Sequence, residues 1–343
     1  MRPSQVEVAL KAAIKTGKPM FIKGEPGIGK SRVVAKVAHD LGRLLYDVRC
    51  TLLDPIDLRG VPSVAEGRTR WNPPIFMPNP GPSILFLDEL PNAAMAVQSA
   101  LLQLVLDRRL GEYELPTACA IVAAGNRVQD RAGSSRLITS LASRFVQINF
   151  EVSHPDWLEW AYDRGIQPEV IAYLRFQAGD LNAFPEKNEA KVDAWPNPRG
   201  WENVSDLLPE LAREVELEMV SGIIGEGTAT KFIAFRRTWR DMPDLDEILA
   251  HPKKAPIPKD LSTKYAVCVG LAHKIPSGQD GPSLLEAQRI AGPVLQYAER
   301  LEEEFGVMLW QDAARQNKLG VAHAPEFAQW AIKHASVLTS TGA

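Results

Sequence analysis

Gly24-Glu25-Pro26-Gly27-Ile28-Gly29-Lys30-Ser31 fits the G-x-x-x-x-G-K-[ST] pattern of a phosphate-binding loop at every fixed position. The apolar run Pro19-Met20-Phe21-Ile22 precedes it, and Val33, Val34, Val37 and Ala38 follow at helical spacing. The loop therefore lies between a strand and a helix. There its backbone N–H groups and the positive helix end can surround a phosphate, while the glycines let the chain come close. Lys30 has the reach for the β- and γ-phosphates, and Ser31 offers a hydroxyl to Mg²⁺. A chance glycine-rich turn would not bring all fixed positions together with both flanks, so the stretch predicts a nucleoside triphosphate site.

The second half of such a site stands some sixty positions on, a rough separation allowed by the intervening strand and loop. Ile84-Leu85-Phe86-Leu87-Asp88-Glu89 reads as a buried strand that ends in two carboxylates. A parallel strand delivers its last residues to the ligand edge of the sheet, where Asp88 can hold the Mg²⁺ shell and Glu89 can polarise an attacking water. The bland alternative is a pair of acids at the start of the next helix, where negative charge is favoured. Cys119-Ala120-Ile121-Val122-Ala123-Ala124-Gly125-Asn126 is another buried strand, tipped by an amide. Asn126 can bond a γ-phosphate or the attacking water, and a plain Gly-Asn turn explains it equally well. A short helix in 136–143 leads to Ser143-Arg144-Phe145-Val146-Gln147-Ile148-Asn149-Phe150, a fifth strand by alternation. Arg144, at that junction, is either a surface cation or a finger for a neighbour's nucleotide.

Between these stretches the chain reads as connecting structure. Val6, Leu10, Ala13 and Ile14 mark an amphipathic helix over 4–16, and Leu44 to Cys50 a second strand. Thr51 to Pro62 is too rich in Pro, Asp and Gly for one regular element and is expected to be a structured loop. Short hairpins are expected around Ala65-Glu66-Gly67-Arg68 and over 108–116, separated by a strongly periodic helix from Ala94 to Leu106.

Composition narrows the class. The 343 residues allow two or three domains, 45% are apolar, and no apolar run approaches a membrane span. Met1 to Glu7 lacks the apolar core of a secretory signal, so an intracellular, cytoplasmic protein is expected. Cys50, Cys119 and Cys268 are far apart with apolar neighbours, which favours buried free thiols over disulfides or zinc. A net charge near −3 speaks against a broad polyanion-binding surface.

Taken together, the phosphate loop, the Asp-Glu strand, the Asn-tipped strand and Leu141-x-x-Arg144-Phe145 resemble the AAA+ ATPases. Asp54-Pro55-Ile56-Asp57-Leu58-Arg59-Gly60 and Pro196-Asn197-Pro198-Arg199-Gly200 narrow the resemblance to the MoxR branch. It covers about residues 5–215. It implies an α/β fold: a five-stranded parallel sheet in the order 5-1-4-3-2 with helices on both faces, then a helical lid. It also implies a hexameric ring with each nucleotide between two subunits, ATP and Mg²⁺ as cofactors, and a protein partner, often one with a von Willebrand factor A domain.

By position, the resemblance makes Gly24, Glu25, Pro26, Gly27, Ile28, Gly29, Lys30, Ser31 and Arg32 the nucleotide-binding set, with Ser31 and Asp88 on Mg²⁺. Glu89 becomes the general base, Asn126 the first sensor, Arg144 the arginine finger and Arg199 the second sensor. Arg136 is a secondary candidate for action in trans. The expected domains are 1–153 for the nucleotide-binding domain, 154–215 for the lid and 216–343 for a helical extension. The loop at 54–62 and the hairpin at 108–116 would be family inserts.

Beyond about residue 215 the family motifs give out. Gly222, Gly225 and Gly227 read as a turn. Lys231 to Arg240 interleaves basic and aromatic residues, which reads as an amphipathic helix with a solvated cationic side rather than a nucleic-acid contact. Pro252 to Pro258 reads as a connector, and Leu284 to Glu304 as one long helix with an acidic end. The function expected is ATP hydrolysis that remodels or activates a partner protein. A nucleotide-gated scaffold with little turnover and a nucleic-acid-linked motor are the other readings.

Overall fold

Runs that are apolar on both faces form the centre of one sheet in a computed structural model, which describes residues 1–127, 137–185, 193–278 and 281–333. The strands are β1 (Met20–Lys23), β2 (Leu44–Arg49), β3 (Val61–Ala65), β4 (Arg68–Asn72), β5 (Ser83–Asp88), β6 (Arg109–Leu110), β7 (Tyr113–Glu114), β8 (Cys119–Gly125) and β9 (Val146–Asn149). Five of them form a sheet in the order β9-β1-β8-β5-β2, and all its pairings are parallel. Counted within the sheet alone this is 5-1-4-3-2. The chain-wide numbers differ because the hairpins β3–β4 and β6–β7 lie between strands of the sheet.

Strand parity builds two cores. Met20 and Ile22, Ile84 and Phe86, and Ala120, Val122 and Ala124 face one side, where they pack with residues of α1 (Pro3–Lys15) and α2 (Lys30–Asp40). Phe21, Leu85 and Leu87, and Ile121 and Ala123 face the other side, against α4 (Met95–Asp107). Every residue of β5 and β8 is buried, as central strands covered on both faces must be. The parity matters beyond packing, because it carries on into the polar residues that follow each strand.

The stretch 54–62 departs from the loop expectation: α3 (Pro55–Arg59) forms there, with Asp54 at its N-cap, Pro55 in the first turn and Leu58 buried. A proline costs a helix nothing in its first turn, where its missing N–H has no intrahelical partner to lose. In the β3–β4 hairpin, Glu66 and Gly67 both take positive φ (53° and 72°), the conformation a two-residue hairpin turn requires. Arg59 stacks on the Trp71 ring at 4.1 Å, so this exposed hairpin is tied to the helix before it.

The chain divides into two compact units, the first spanning Met1–Asp156 and the second built from the described residues after it. The second unit is helical, running from α6 (His154–Arg164), α7 (Pro168–Phe176), α8 (Pro198–Leu207), α9 (Arg213–Ile224) and α10 (Glu226–Arg240) to α11 (Leu245–Ala250), α12 (Leu261–His273), α13 (Gly281–Ala298), α14 (Glu303–Gln316), α15 (Lys318–Ala322) and α16 (Pro325–Lys333). Phe232 packs edge to face against Tyr173 and Trp201, which are tilted against each other, and the Trp201 ring N–H donates to the Asp180 carbonyl at 2.8 Å. The expected long helix over 284–304 is two helices. α13 stops at Ala298, and Glu303 and Glu304 open α14 instead of closing its predecessor. Their charge suits a helix N-terminus and would oppose a C-terminus.

The cationic side expected for 231–240 is exposed at Lys231, Arg237 and Arg240, while Arg236 turns inward. Arg236 is buried between Glu169 (2.8 Å) and Glu216, Arg240 pairs with Glu216 at 3.3 Å, and Lys231 with Asp180 at 3.4 Å. A guanidinium is retained in a protein interior only when carboxylates meet it, so the Arg236 charge is part of the packing of this helix. The three thiols are buried and free, and among the described residues no helix is long and apolar enough to cross a membrane.

One titration in this unit has a measurable consequence. His273 stacks on Tyr162 with ring centroids 5.0 Å apart, and burial holds its imidazole below the ordinary range, against a smaller upward pull from the Val269 carbonyl and Asp312. A lowered folded-state value means that the unfolded chain takes up the proton first, so the stabilising effect is complete above the ordinary histidine range and is lost as pH falls. Melting temperature is expected to drop between about pH 7 and pH 5. In His273→Phe, which keeps a ring against Tyr162, that drop is expected to be smaller when the two melting series are compared.

Candidate functional site

The phosphate loop leaves β1 and enters α2 through Gly29, whose φ of +98° a side-chain-bearing residue rarely adopts. At its start, a Cβ on Gly24 would lie 2.7 Å from Ile28 Cδ1 and 2.9 Å from the Phe150 carbonyl, so the backbone packs there only as glycine. Lys30 is buried, and its ammonium donates to the carbonyls of Gly24 (3.0 Å) and Glu25 (2.7 Å) and to Asn126 Oδ1 (2.9 Å). Asn126 continues the parity of Ala120, Val122 and Ala124, which turns it toward the α2 side of the sheet and onto the lysine. Local sequence leaves a turn and a ligand equally plausible for Asn126; strand parity favours the contact.

The same rule separates the two acids. Asp88 shares the parity of Ile84 and Phe86, is buried, and accepts from Ser31 Oγ at 2.9 Å. A hydroxyl and a carboxylate thus converge on one point, a donor set of hard oxygens that fits a cation such as Mg²⁺. Glu89 turns away. Its φ of +55° lies in the left-handed region, its N–H donates back to Asp88 Oδ1 at 2.9 Å, and its Oε2 accepts from Thr51 Oγ1 at 3.0 Å. A non-glycine residue held there stores strain, a feature that clusters at functional sites.

Thr51 is a residue that sequence reasoning missed. It sits just past β2, beside β5 in the sheet, and the adjacency of the two strand ends was the signal available. Arg127 was missed as well: its guanidinium pairs with the Glu25 carboxylate, so the loop and the β8 tip are joined twice, through Lys30–Asn126 and through Glu25–Arg127. Cys50 lies under the acids. Burial pushes its thiol up to about 12, with Asp88, Glu89 and Asp47 adding to the effect, so it is a neutral packing group and not a nucleophile. Asp47 is raised in turn by burial and by Asp88.

Arg144 is exposed and donates to Ser143 Oγ at 3.0 Å. Met20 is in register with Val146 and Lys23 with Asn149, which puts Arg144 at the start of β9 and the loop at the far end of β1. At about 3.3 Å per residue the two ends are on the order of 15–20 Å apart, so Arg144 serves no chemistry at its own loop. Arg199 is exposed in the first turn of α8, where Asn197 caps the helix by accepting from the Gly200 N–H at 2.9 Å. Arg136 lies outside the described residues.

A family model described as AAA domain (dynein-related subfamily) matches residues 19–145, which run from the strand before the loop to the residue after Arg144. Protein NorQ of Paracoccus denitrificans is 33% identical over 163 residues, 45% of this chain and 60% of NorQ. Midasin of Giardia intestinalis is 26% identical over 210 residues, 57% of this chain and 4% of midasin. The chain thus spans less than two thirds of either relative. Among solved structures, NtrX from Brucella abortus in complex with ATP overlaps with a TM-score of 0.42 at 13% identity, covering 97% of this chain and 67% of that one. Loop, paired acids, tipped strand and junction arginine all lie inside the matched segment and in order, so residues 19–145 are similar to an AAA domain and the chain resembles NorQ over part of its length.

Proposed function

We propose that this chain hydrolyses ATP to ADP and phosphate, with Mg²⁺, at interfaces between copies of itself, and uses the cycle to remodel or activate a partner protein. The observation that carries this reading is the convergence of Lys30, Asn126, Ser31 and Asp88 around one loop, with Glu89 braced beside them by Thr51. In it, the glycine-shaped loop and Lys30 bind and orient the phosphates, and Ser31 and Asp88 hold Mg²⁺, which when bound neutralises phosphate charge. Glu89 takes the proton of the attacking water, and Asn126 positions that water or the γ-phosphate. No covalent enzyme intermediate is needed, since positioning and charge stabilisation supply the rate.

The distance of Arg144 from its own loop supports a role on the nucleotide of an adjacent copy, in a ring that the family resemblance makes hexameric. By the same resemblance Arg199 is the second sensor, 154–215 the lid and 216–343 an extension, and the partner is a von Willebrand factor A domain protein in the cytoplasm. Steady-state phosphate release tests the core of the reading. Specific activity is expected to require Mg²⁺ and to rise with protein concentration as copies assemble. Activity per chain that stays constant on dilution to a monomer would overturn the shared site, and no phosphate release at any concentration would overturn hydrolysis.

A further inference from the structure

The phosphate loop of this chain carries a carboxylate, Glu25, in the segment that gathers anions. A negative group there opposes a triphosphate unless a cation answers it. Arg127 provides that cation: its guanidinium pairs with Glu25, and both side chains keep 22% of their surface, enough for a ligand anion to reach the pair. The neighbouring contact has the same form. Asn126, one residue earlier, accepts from Lys30, whose ammonium also bonds the Glu25 carbonyl at 2.7 Å. Lys30 and Arg127 therefore both engage Glu25, one through its backbone and one through its side chain.

We propose that Arg127 is a second phosphate-binding cation of the same subunit, parked on Glu25 and transferred to the terminal phosphate of a nucleoside triphosphate, so that the chain tells triphosphate from diphosphate through it. The inference rests on the nucleotide-site reading above. The chemistry is an exchange of anionic partners: a guanidinium that holds one carboxylate presents the same planar donors to phosphate oxygens, and a triphosphate brings more charge than a single carboxylate. A diphosphate ends one phosphate short and leaves Arg127 on Glu25. Glu25 then acts as a competitor that sets how much triphosphate the site needs before Arg127 lets go.

Calorimetric titration of the full chain with Mg-ATPγS and with Mg-ADP tests this. Arg127→Gln is expected to weaken ATPγS about tenfold or more, the worth of one charge-assisted hydrogen bond, while ADP affinity stays within about threefold of the parent. Arg127→Lys recovers part of the loss. Glu25→Gln, which frees the guanidinium from its carboxylate, tightens ATPγS roughly threefold. Comparing two nucleotides within one variant cancels any general loss of folding. Equal weakening of both nucleotides in Arg127→Gln, or weaker ATPγS binding in Glu25→Gln, would mean that the pair only braces the loop, and overturns the proposal. A parent protein that binds neither nucleotide overturns the nucleotide-site reading as well, and that outcome is distinct from the other two.

Discussion

Glu89→Gln is expected to cut ATP turnover by about 10²–10⁴-fold, the range that a positioned general base supplies, while ATPγS affinity is retained. The substitution keeps side-chain length and leaves an amide oxygen that can still accept from Thr51, which holds Glu89 Oε2 at 3.0 Å. It removes only the capacity to take a proton. The binding groups lie elsewhere: Lys30 is held by Asn126 and the loop carbonyls, and Ser31 meets Asp88, none of them through the Glu89 side chain. Turnover should therefore fall without a matching loss of affinity, the pattern of an interaction used in the transition state alone. Phosphate release measured beside ATPγS titration reads both quantities, and a normal rate in Glu89→Gln would remove this residue from the role of base.

Arg144→Ala is expected to lower turnover by about a thousandfold, within the range known for an arginine acting in trans on a transferred phosphoryl group. Parallel register separates Arg144 from the loop of its own subunit by most of the sheet's depth, so under the proposed role the loss would be felt at a neighbour's nucleotide. That geometry makes complementation possible. Mixed with Lys30→Ala, which has no working loop but an intact Arg144, the Arg144→Ala chain should regain part of the activity, because its own loop then faces a neighbour's arginine. Each variant alone should stay inactive at every concentration. Normal turnover in Arg144→Ala, or a mixture no more active than its parts, would take Arg144 out of the interface.

Much of the first unit could be read from the chain. The loop declares itself through fixed spacing, and β5 and β8 through runs too apolar to leave either face in water. The Glu66-Gly67 turn follows from backbone conformations few other pairs adopt. The reading failed where one segment could end in two ways. Nothing near Glu302-Glu303-Glu304 says whether the acids close one helix or open the next; the break after Ala298 decides it. The loop expected at 54–62 overlooked that Asp54 and Pro55 also make a serviceable helix start. In 231–240 the amphipathic helix and its exposed Lys231, Arg237 and Arg240 follow from periodicity, and only Arg236 departs, since the acids that meet it, Glu169 and Glu216, lie on other helices.

Residue order alone was enough for the phosphate loop, the strand types and the order of the motifs, because each depends on neighbours a few positions apart. The pairings that turn motifs into a site did not follow from order. Lys30 with Asn126 is a contact across 96 positions, Arg127 with Glu25 across 102, and Thr51 with Glu89 across 38. Each exists because parallel pairing fixes which strands are adjacent, and because side chains alternate across the sheet, so that Asn126 and Asp88 fall on the α2 side while Glu89 leaves it. A one-residue slip in any of these strands would leave the spacing of the motifs intact and send the same residues to opposite faces.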